Sequence, residues 1–326
     1  MAETASRADG MVLLAGTPEQ IGRAWGEANA ATIREHFASF MGRCEEKGVD
    51  PPELLRRCAR ATSLANDLAP HWRVESDAVA EAAAVPDDLY FAYHLAKYRD
   101  LVFWDAECSS YAASGSASAT GDAAFHKSRD NTAREQAGYV KRQELAGDVV
   151  HAFVSIGDTS DTGVMMMVNE RGLCASADTG APDPTPFREG LMNPWGLRYL
   201  AERAEDCHQA LRILQEWTDQ RFYAGANRAT NWMLADARGN VLRVVNFSDH
   251  LEAELIADGF LLNVEREGLR EFMQGRTGRL CASLLREASR LPSVSMASTI
   301  SSLTVDMNAQ RPELSIAWAS LGRPGR

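Results

Sequence analysis

The feature that most constrains the fold is a change of pattern near residue 106. Before it, the segments 31–47, 52–68 and 74–84 are rich in Ala, Leu, Glu and Arg, which predicts helices. After it, short apolar runs separated by turn residues predict strands. Hairpins and helices occur in blocks rather than as alternating strand–helix–strand units. The pattern therefore predicts an α+β protein with antiparallel sheets and helices packed outside them.

Local signals mark the ends of individual elements. Thr17, followed by Pro18 and Gln20, is typical of a helix start with a side-chain cap. The residues 169–172 and 236–240 have the composition of hairpin turns. The same patterns predict further helices over 196–217 and 276–290, and strands over 110–113, 123–126, 149–156, 163–168, 231–235, 241–247, 261–264 and 314–319.

Composition excludes some classes of partner. The chain has 326 residues, with 34 Lys and Arg against 45 Asp and Glu, for a net charge of −11. Such an acidic chain is a poor match for nucleic acid or an anionic membrane, so we predict neither as a partner. No apolar run approaches the roughly 18 residues of a membrane span. Because the first ten residues are polar, we expect a cytoplasmic protein without a secretory signal.

Common catalytic and cofactor motifs are missing from the sequence. It has no P-loop, no G-x-G-x-x-G, no G-x-S-x-G and no H-E-x-x-H. The seven histidines show no metal spacing, and no two of the six cysteines form a C-x-x-C pair. We therefore predict no metal and no resident cofactor.

The segment around Cys108 is the strongest candidate for chemistry. It lies where the helical first third meets the strand-rich remainder. A strand that starts at Cys108 and a hairpin partner that ends near Asp130 would bring a nucleophile beside a charged orienting group. Since strand residues alternate between faces, Ser110 would share a face with Cys108. Lys127 and Arg129 flank Asp130, and one of them is open to pair with Asp130 or with a substrate carboxylate, although strand alternation would place both on the face opposite Asp130.

The order of several motifs resembles one family, the acyl-coenzyme A:6-aminopenicillanic acid acyltransferases and their relatives. These form the C45 group of self-processing cysteine amidohydrolases, within the N-terminal-nucleophile (Ntn) hydrolases. The likeness spans nearly the whole chain and is carried by Gly16-Thr17-Pro18, Cys108-Ser109-Ser110, Ser128-Arg129-Asp130, the hairpin 168–173, the paired strands 231–247, Leu262-Asn263 and the closing segment 321–324.

The resemblance implies a four-layer αββα sandwich of two antiparallel sheets, the Ntn-hydrolase fold. It also implies autocatalytic cleavage between Glu107 and Cys108. The products would be a mostly helical chain, 1–107, and a strand-rich catalytic chain, 108–326, which stay together as one domain and an α/β heterodimer.

Cleavage would give Cys108 a free α-amine. A free thiol has a pKa of about 8.5 and an α-amine one of about 7.7–8.0, so the amine can take the thiol proton near neutral pH. The resemblance gives Asp130 the role of orienting that amine and Asn263 the role of an oxyanion donor. We also consider Ser110, Lys127, Arg129, Asn231 and Asn246 as residues around the substrate.

We therefore predict an acyltransferase or amidohydrolase that acts on an amide or acyl thioester through a thioester on Cys108. Its place would be small-molecule or natural-product metabolism, with a coenzyme A thioester among the acyl donors left open. The sequence departs from the family at Glu107, where many relatives have Gly, and at Ser128, Arg129 and Asn246. Two alternatives remain: an uncleaved cysteine acyltransferase with His126 as its base, and a non-catalytic binding protein on the same fold.

Overall fold

A computed structural model describes residues 5–8, 11–96, 108–131, 135–184, 189–224, 228–307 and 313–318. Glu107, on one side of the predicted cleavage site, lies outside these residues, and Cys108 lies within them.

The described residues form helices in three groups along the chain. The helices are α1 (Pro18–Glu46), α2 (Pro51–Leu68), α3 (Pro70–Ala83), α4 (Asp87–Ala96), α5 (Asn193–Arg203), α6 (Cys207–Asp219), α7 (Leu269–Gln274) and α8 (Ala282–Ala288). The strands are β1 (Ala5–Ala8), β2 (Met11–Gly16), β3 (Ser109–Ser114), β4 (Ala124–Asp130), β5 (Gln136–Gln143), β6 (Phe153–Asp158), β7 (Met166–Asn169), β8 (Leu173–Pro182), β9 (Arg228–Asp236), β10 (Val241–Asn246), β11 (Leu251–Ile256), β12 (Gly259–Leu262), β13 (Thr299–Asp306) and β14 (Glu313–Trp318).

The first long helix begins as its sequence predicts. Thr17 Oγ1 accepts a hydrogen bond from the Gln20 backbone at 3.3 Å, and the Gln20 side chain accepts one from the Thr17 backbone at 2.9 Å. This reciprocal cap satisfies two amides that a helix end leaves unpaired. The helix then runs on to Glu46 with one non-helical residue, Asn29, so the predicted helix over 31–47 is the second part of α1.

The strands form two sheets. The larger has nine strands in the order β1-β2-β5-β6-β7-β8-β9-β10-β11, and the smaller has five in the order β12-β3-β4-β13-β14. All neighbours are antiparallel except β2 and β5, which pair in parallel. The prediction of two purely antiparallel sheets is wrong at this pair. The reason is that the chain between β2 and β5 contains α1 to α4, and a connection of that length allows a parallel return.

The layers follow the order helix–sheet–sheet–helix. The two sheets pack face to face through apolar residues of both, including Phe125, Met166 and Met233. Helices α1 to α6 cover the outer face of the large sheet, and α7 and α8 cover the outer face of the small sheet. This confirms the predicted four-layer αββα architecture. The space between the sheets, at the end where β3 begins, is where Cys108 lies.

Candidate active site

The start of β3 directs one row of side chains toward the large sheet. Cys108 immediately precedes this strand, and the β3–β4 register sets Ser110 opposite Lys127. Both side chains reach β8 of the other sheet: Ser110 Oγ lies 2.8 Å from Ser176 Oγ, and Lys127 Nζ donates to the carbonyl of Ala177 at 3.1 Å. The predicted shared face of Cys108 and Ser110 therefore looks into the space between the sheets.

Lys127 pairs with a buried carboxylate near the thiol. Its ammonium forms an ion pair with Asp178, and the charge of a Cys108 thiolate also favours the protonated form of Lys127. Burial by itself would lower the pKa of Lys127, but Asp178 and then Cys108 outweigh it, and the pKa lies above its usual value. Lys127 is thus a fixed cation near neutral pH and does not accept a proton there.

Asp178 is the centre of the cluster. It accepts hydrogen bonds from Ser110 Oγ at 3.0 Å and from Asn263 Nδ2 at 3.1 Å, in addition to that from Lys127. The sequence analysis did not single out Asp178. A signal was present, because Asp178 interrupts a strand of small residues in which carboxylates are rare. Nothing local, however, connects this residue to Cys108.

Two asparagines lie next to Asp178. The Asn263 backbone donates to Ser110 O at 2.9 Å, and its amide also donates to Asn231 O at 3.0 Å. Asn231 Nδ2 in turn donates to Asn263 O at 3.4 Å. The amide of Asn263 therefore has both hydrogens engaged, by Asp178 and Asn231. To serve as an oxyanion donor, the Asn263 amide would give up one of these hydrogen bonds and donate to the substrate instead.

Asp130 ends β4 beside this cluster. Its Oδ1 accepts a hydrogen bond from Thr299 Oγ1, while its buried Oδ2 has no hydrogen-bond partner among the residues that the structure describes. Burial raises the pKa of Asp130, and the hydrogen bond from Thr299 and the charge of Lys127 offset only part of that effect. Thr299 is a second residue that the sequence analysis missed.

Arg129 shares the face of Lys127, as predicted, but does not turn to Asp130. Its Nη1 donates to Asp158 Oδ1 at 2.8 Å and to Gln136 Oε1 at 2.7 Å. Lys127 and Arg129 thus each pair with a carboxylate of the large sheet. Among the described residues, neither of them forms the ion pair with Asp130 that the sequence left open.

Two other predicted residues lie away from Cys108. Asn246 lies on the helix-facing side of β10, because neighbouring strand residues face opposite ways. There its Nδ2 donates to Thr218 Oγ1 at 3.0 Å. His126 is on the outer face of β4, bonded to Thr304 and Ser128 and stacked on Tyr111. Burial lowers the pKa of His126 to about 3. The structure therefore does not bring His126 to the thiol as a base.

The other cysteines provide a contrast. Cys44, Cys58, Cys174 and Cys207 are buried, whereas Cys108 and Cys281 are partly exposed. Cys281 lies 3.1 Å from the hydroxyl of Ser283. Within the described ranges no group of His, Cys, Asp and Glu is suited to hold a metal, and no helix combines the length and apolar character of a membrane span.

Comparison with known proteins gives structural likenesses only. No protein-family model matches the chain, and no curated protein matches it in sequence. One similar solved structure is penicillin V acylase from Agrobacterium tumefaciens, at 15% identity over 65% of this chain and 83% of that one, with a TM-score of 0.45. A second is the Caenorhabditis elegans ortholog of N-acylethanolamine-hydrolyzing acid amidase, at 12% identity over 61% and 93%, with a TM-score of 0.47.

A third similar structure is the C2A mutant of conjugated bile acid hydrolase from Clostridium perfringens, at 10% identity over 65% of this chain and 92% of that one, with a TM-score of 0.38. At identities and TM-scores this low, these likenesses carry no argument about the function of this chain.

Proposed function

We propose that the protein is a cysteine amidohydrolase or acyltransferase of the N-terminal-nucleophile type, with Cys108 as its nucleophile. The observation that carries the proposal is the position of Cys108, partly exposed at the start of β3 and near Lys127, a buried cation that Asp178 holds in place. Reactive cysteines are partly exposed and lie beside positive charge, whereas buried cysteines in apolar surroundings are inert. Cys108 meets the first description and Cys58, at the helix layer, the second.

The base is the next requirement. Lys127 stays protonated, and His126 lies on the opposite face of β4. An α-amine released by cleavage of the Glu107–Cys108 bond would stand on the nucleophile's own residue and titrate near neutral pH. This supports the cleaved form over an uncleaved enzyme with a histidine base.

The proposed reaction has two stages. The α-amine takes the thiol proton, and the thiolate attacks the carbonyl carbon of an amide or acyl thioester. The tetrahedral intermediate collapses, the bond to the leaving amine or thiol breaks, and that group takes the proton from the α-ammonium. Water or an acceptor amine then gives a proton to the α-amine and attacks the thioester. The carbon–sulfur bond breaks, the acid or the new amide leaves, and the α-ammonium returns the proton to the thiolate.

The surrounding residues would stabilise negative charge. Lys127 would oppose the charge of the thiolate, and the amides of Asn263 and Asn231 would face the oxyanion after exchange of their present bonds. An oxyanion donor is typically worth about 2.7–4 kcal/mol. Asp130 would orient the α-amine, as its place in the family resemblance suggests.

We infer a small-molecule substrate with an amide or acyl thioester, no resident cofactor, and a coenzyme A thioester as one candidate donor. The two fragments would remain a heterodimer, because Glu75, in the first fragment, forms buried ion pairs with Lys141 and Arg198 in the second. A role in natural-product metabolism and a cytoplasmic location belong to the same proposal.

Intact-protein mass spectrometry tests the nucleophile. Wild type is expected to yield fragments 1–107 and 108–326, and Cys108→Ala is expected to stay whole. Cys281→Ala is the matched control, since it removes the other partly exposed thiol and should leave cleavage unchanged. Whole wild-type protein would refute the cleaved mechanism.

A second experiment tests the chemistry of the purified protein. Penicillins, fatty acyl amides, conjugated bile acids and acyl-coenzyme A thioesters are offered in turn, and the acylated 108–326 fragment is sought by mass. His126→Gln is expected to keep activity, because His126 does not reach the thiol. Loss of activity in folded His126→Gln would favour the uncleaved alternative.

A further inference from the structure

The hydroxyl of Thr299 has a fixed orientation. Thr299 opens β13 and lies opposite Asp130 in the register with β4. Its Oγ1 accepts the backbone N–H of Met296 at 3.0 Å and donates to Asp130 Oδ1. A hydroxyl has a single hydrogen, so the bond from Met296 leaves that hydrogen for the carboxylate.

The other oxygen of Asp130 is the second observation. Asp130 is 2% exposed, and its Oδ2 is buried without a hydrogen-bond partner among the described residues. A buried carboxylate oxygen is normally satisfied by a donor. The β3–β4 register, continued by one residue past Ser109 and Ser128, would set Cys108 opposite Arg129 and thus diagonal to Asp130, one residue further along β4. Oδ2 is therefore suited to receive a donor from the Cys108 backbone.

We propose that Thr299 is a positioning residue, which holds Asp130 by one oxygen so that the other receives the α-amine of the cleaved Cys108. This rests on the proposed function, because the amine exists only after cleavage. A carboxylate anchored at one oxygen keeps its plane, and the amine then bonds Oδ2 without cost from reorienting the side chain.

The charges around Asp130 fit this role. Burial raises its pKa, and the hydrogen bond from Thr299 acts in the opposite direction, as do the charges of Lys127 on β4 and Arg266 after β12. Asp178 on β8 adds a raising effect. Removal of the Thr299 hydroxyl would therefore raise the pKa of Asp130 further, and the ionised form that binds an ammonium would need a higher pH.

The experiment measures the rate at which iodoacetamide alkylates Cys108 in the cleaved protein, by mass spectrometry of the 108–326 fragment, from about pH 5 to about pH 9. Thr299→Val is expected to react roughly 10- to 100-fold more slowly at about pH 6, with the acid limb of the profile moved to higher pH. Thr299→Ser keeps the hydroxyl and should stay within about 3-fold of wild type. Thr304→Val is the matched control, because it removes a hydroxyl of the same strand that bonds His126 instead.

The results for Thr299→Val and for wild type distinguish the role of Thr299 from the proposed function. A folded Thr299→Val protein with the wild-type rate and pH profile overturns the role of Thr299 and leaves the proposed function standing. A wild type that never cleaves overturns the proposed mechanism together with this role. If Thr299→Val does not fold, Thr299→Ala in the Cys108→Ala background is used to follow the ionisation of Asp130 by carbon-13 NMR. An unchanged pKa of Asp130 there overturns the proposal.

Discussion

Replacing Arg198 with methionine is expected to lower the free energy of unfolding by about 3–5 kcal/mol, because it removes a cation shared by two buried carboxylates. Arg198 is fully buried on α5. Its guanidinium donates to Glu75 Oε2 at 2.5 Å and to Glu202 Oε1 at 2.9 Å. Lys141 is the other cation of the group, so the substitution leaves two carboxylates with one full positive charge beside them.

The magnitude follows from opposing effects. At an effective dielectric constant of about 20, two charges roughly 4 Å apart attract by about 4 kcal/mol, and Arg198 has two such partners. Loss of Arg198 also removes the cost of burying its own charge, which is several kcal/mol. The difference between this attraction and this cost agrees with the loss of about 3–5 kcal/mol that is typical when a buried ion pair loses one partner.

Urea unfolding provides the assay, in a Cys108→Ala background that keeps the chain whole. Arg203→Met is the control: Arg203 pairs with Asp148 at the surface, with side chains 25% and 45% exposed, and should cost under about 1 kcal/mol. The pKa of Glu202 and that of Glu75 are lowered in the fold despite burial, mainly by Arg198. The stability that these two carboxylates contribute to the fold is thus present above about pH 4.5 and is lost as the pH falls.

The pH dependence supplies the refutation. Without Arg198 the two carboxylates lose most of their stabilisation as anions and protonate more easily, so the difference from wild type should shrink between about pH 7.5 and about pH 5. A loss below about 1 kcal/mol that does not change with pH would refute the reasoning.

The remaining predictions concern charges near the thiol and in the helix layer. Lys127→Met should slow alkylation of Cys108 by iodoacetamide at about pH 7, because it removes the cation near the thiol; an unchanged rate would count against the proposed nucleophile. Asp178→Asn should speed alkylation at about pH 6, because Lys127 then lacks its counter-charge, and a slower rate would contradict this. Burial lowers the pKa of Lys141 from its usual 10.5 to about 8 in the folded protein. Between about pH 8 and about pH 10, the unfolded chain therefore binds more protons than the folded chain. The stability of wild type relative to Lys141→Met should therefore rise with pH from about 8 to about 10, and a flat difference in urea midpoints would disprove it.

Local rules predicted the parts of the fold that local interactions determine. Thr17 starts a helix because its own side chain caps it, and 236–240 turn the chain because Gly239 adopts a left-handed conformation. The blocks of helices and hairpins predicted antiparallel sheets with helices packed outside them, whereas the four-layer order was implied by the family resemblance. The predicted helix over 196–217 is two helices, since Asp206 caps a new one by accepting from Gln209 N.

Elements whose form depends on strand pairing rather than on the preferences of their own residues escaped prediction. The strand β11 has the sequence Leu-Glu-Ala-Glu-Leu-Ile, whose residues favour a helix, and it is a strand because it pairs with β10 at the sheet edge. The strand β13 is rich in Ser and Thr and is fixed between β4 and β14. Asp178 escaped because it is 68 residues from its partner Ser110 and meets it only across the two sheets.

The residues on the two faces of β4 explain why the cluster around Asp178 forms in only one register of this strand. Lys127 and Arg129 point to the large sheet, where Asp178 and Asp158 match them. A slip of β4 by one residue would exchange these faces. It would turn His126 toward the carboxylates and would bury both cations against the apolar layer of α7 and α8, at a cost of several kcal/mol for each unpaired charge. The pairs between the sheets thus favour the register that sets Lys127 beside Cys108, so the same contacts that define the strand pairing also prepare the thiol for reaction.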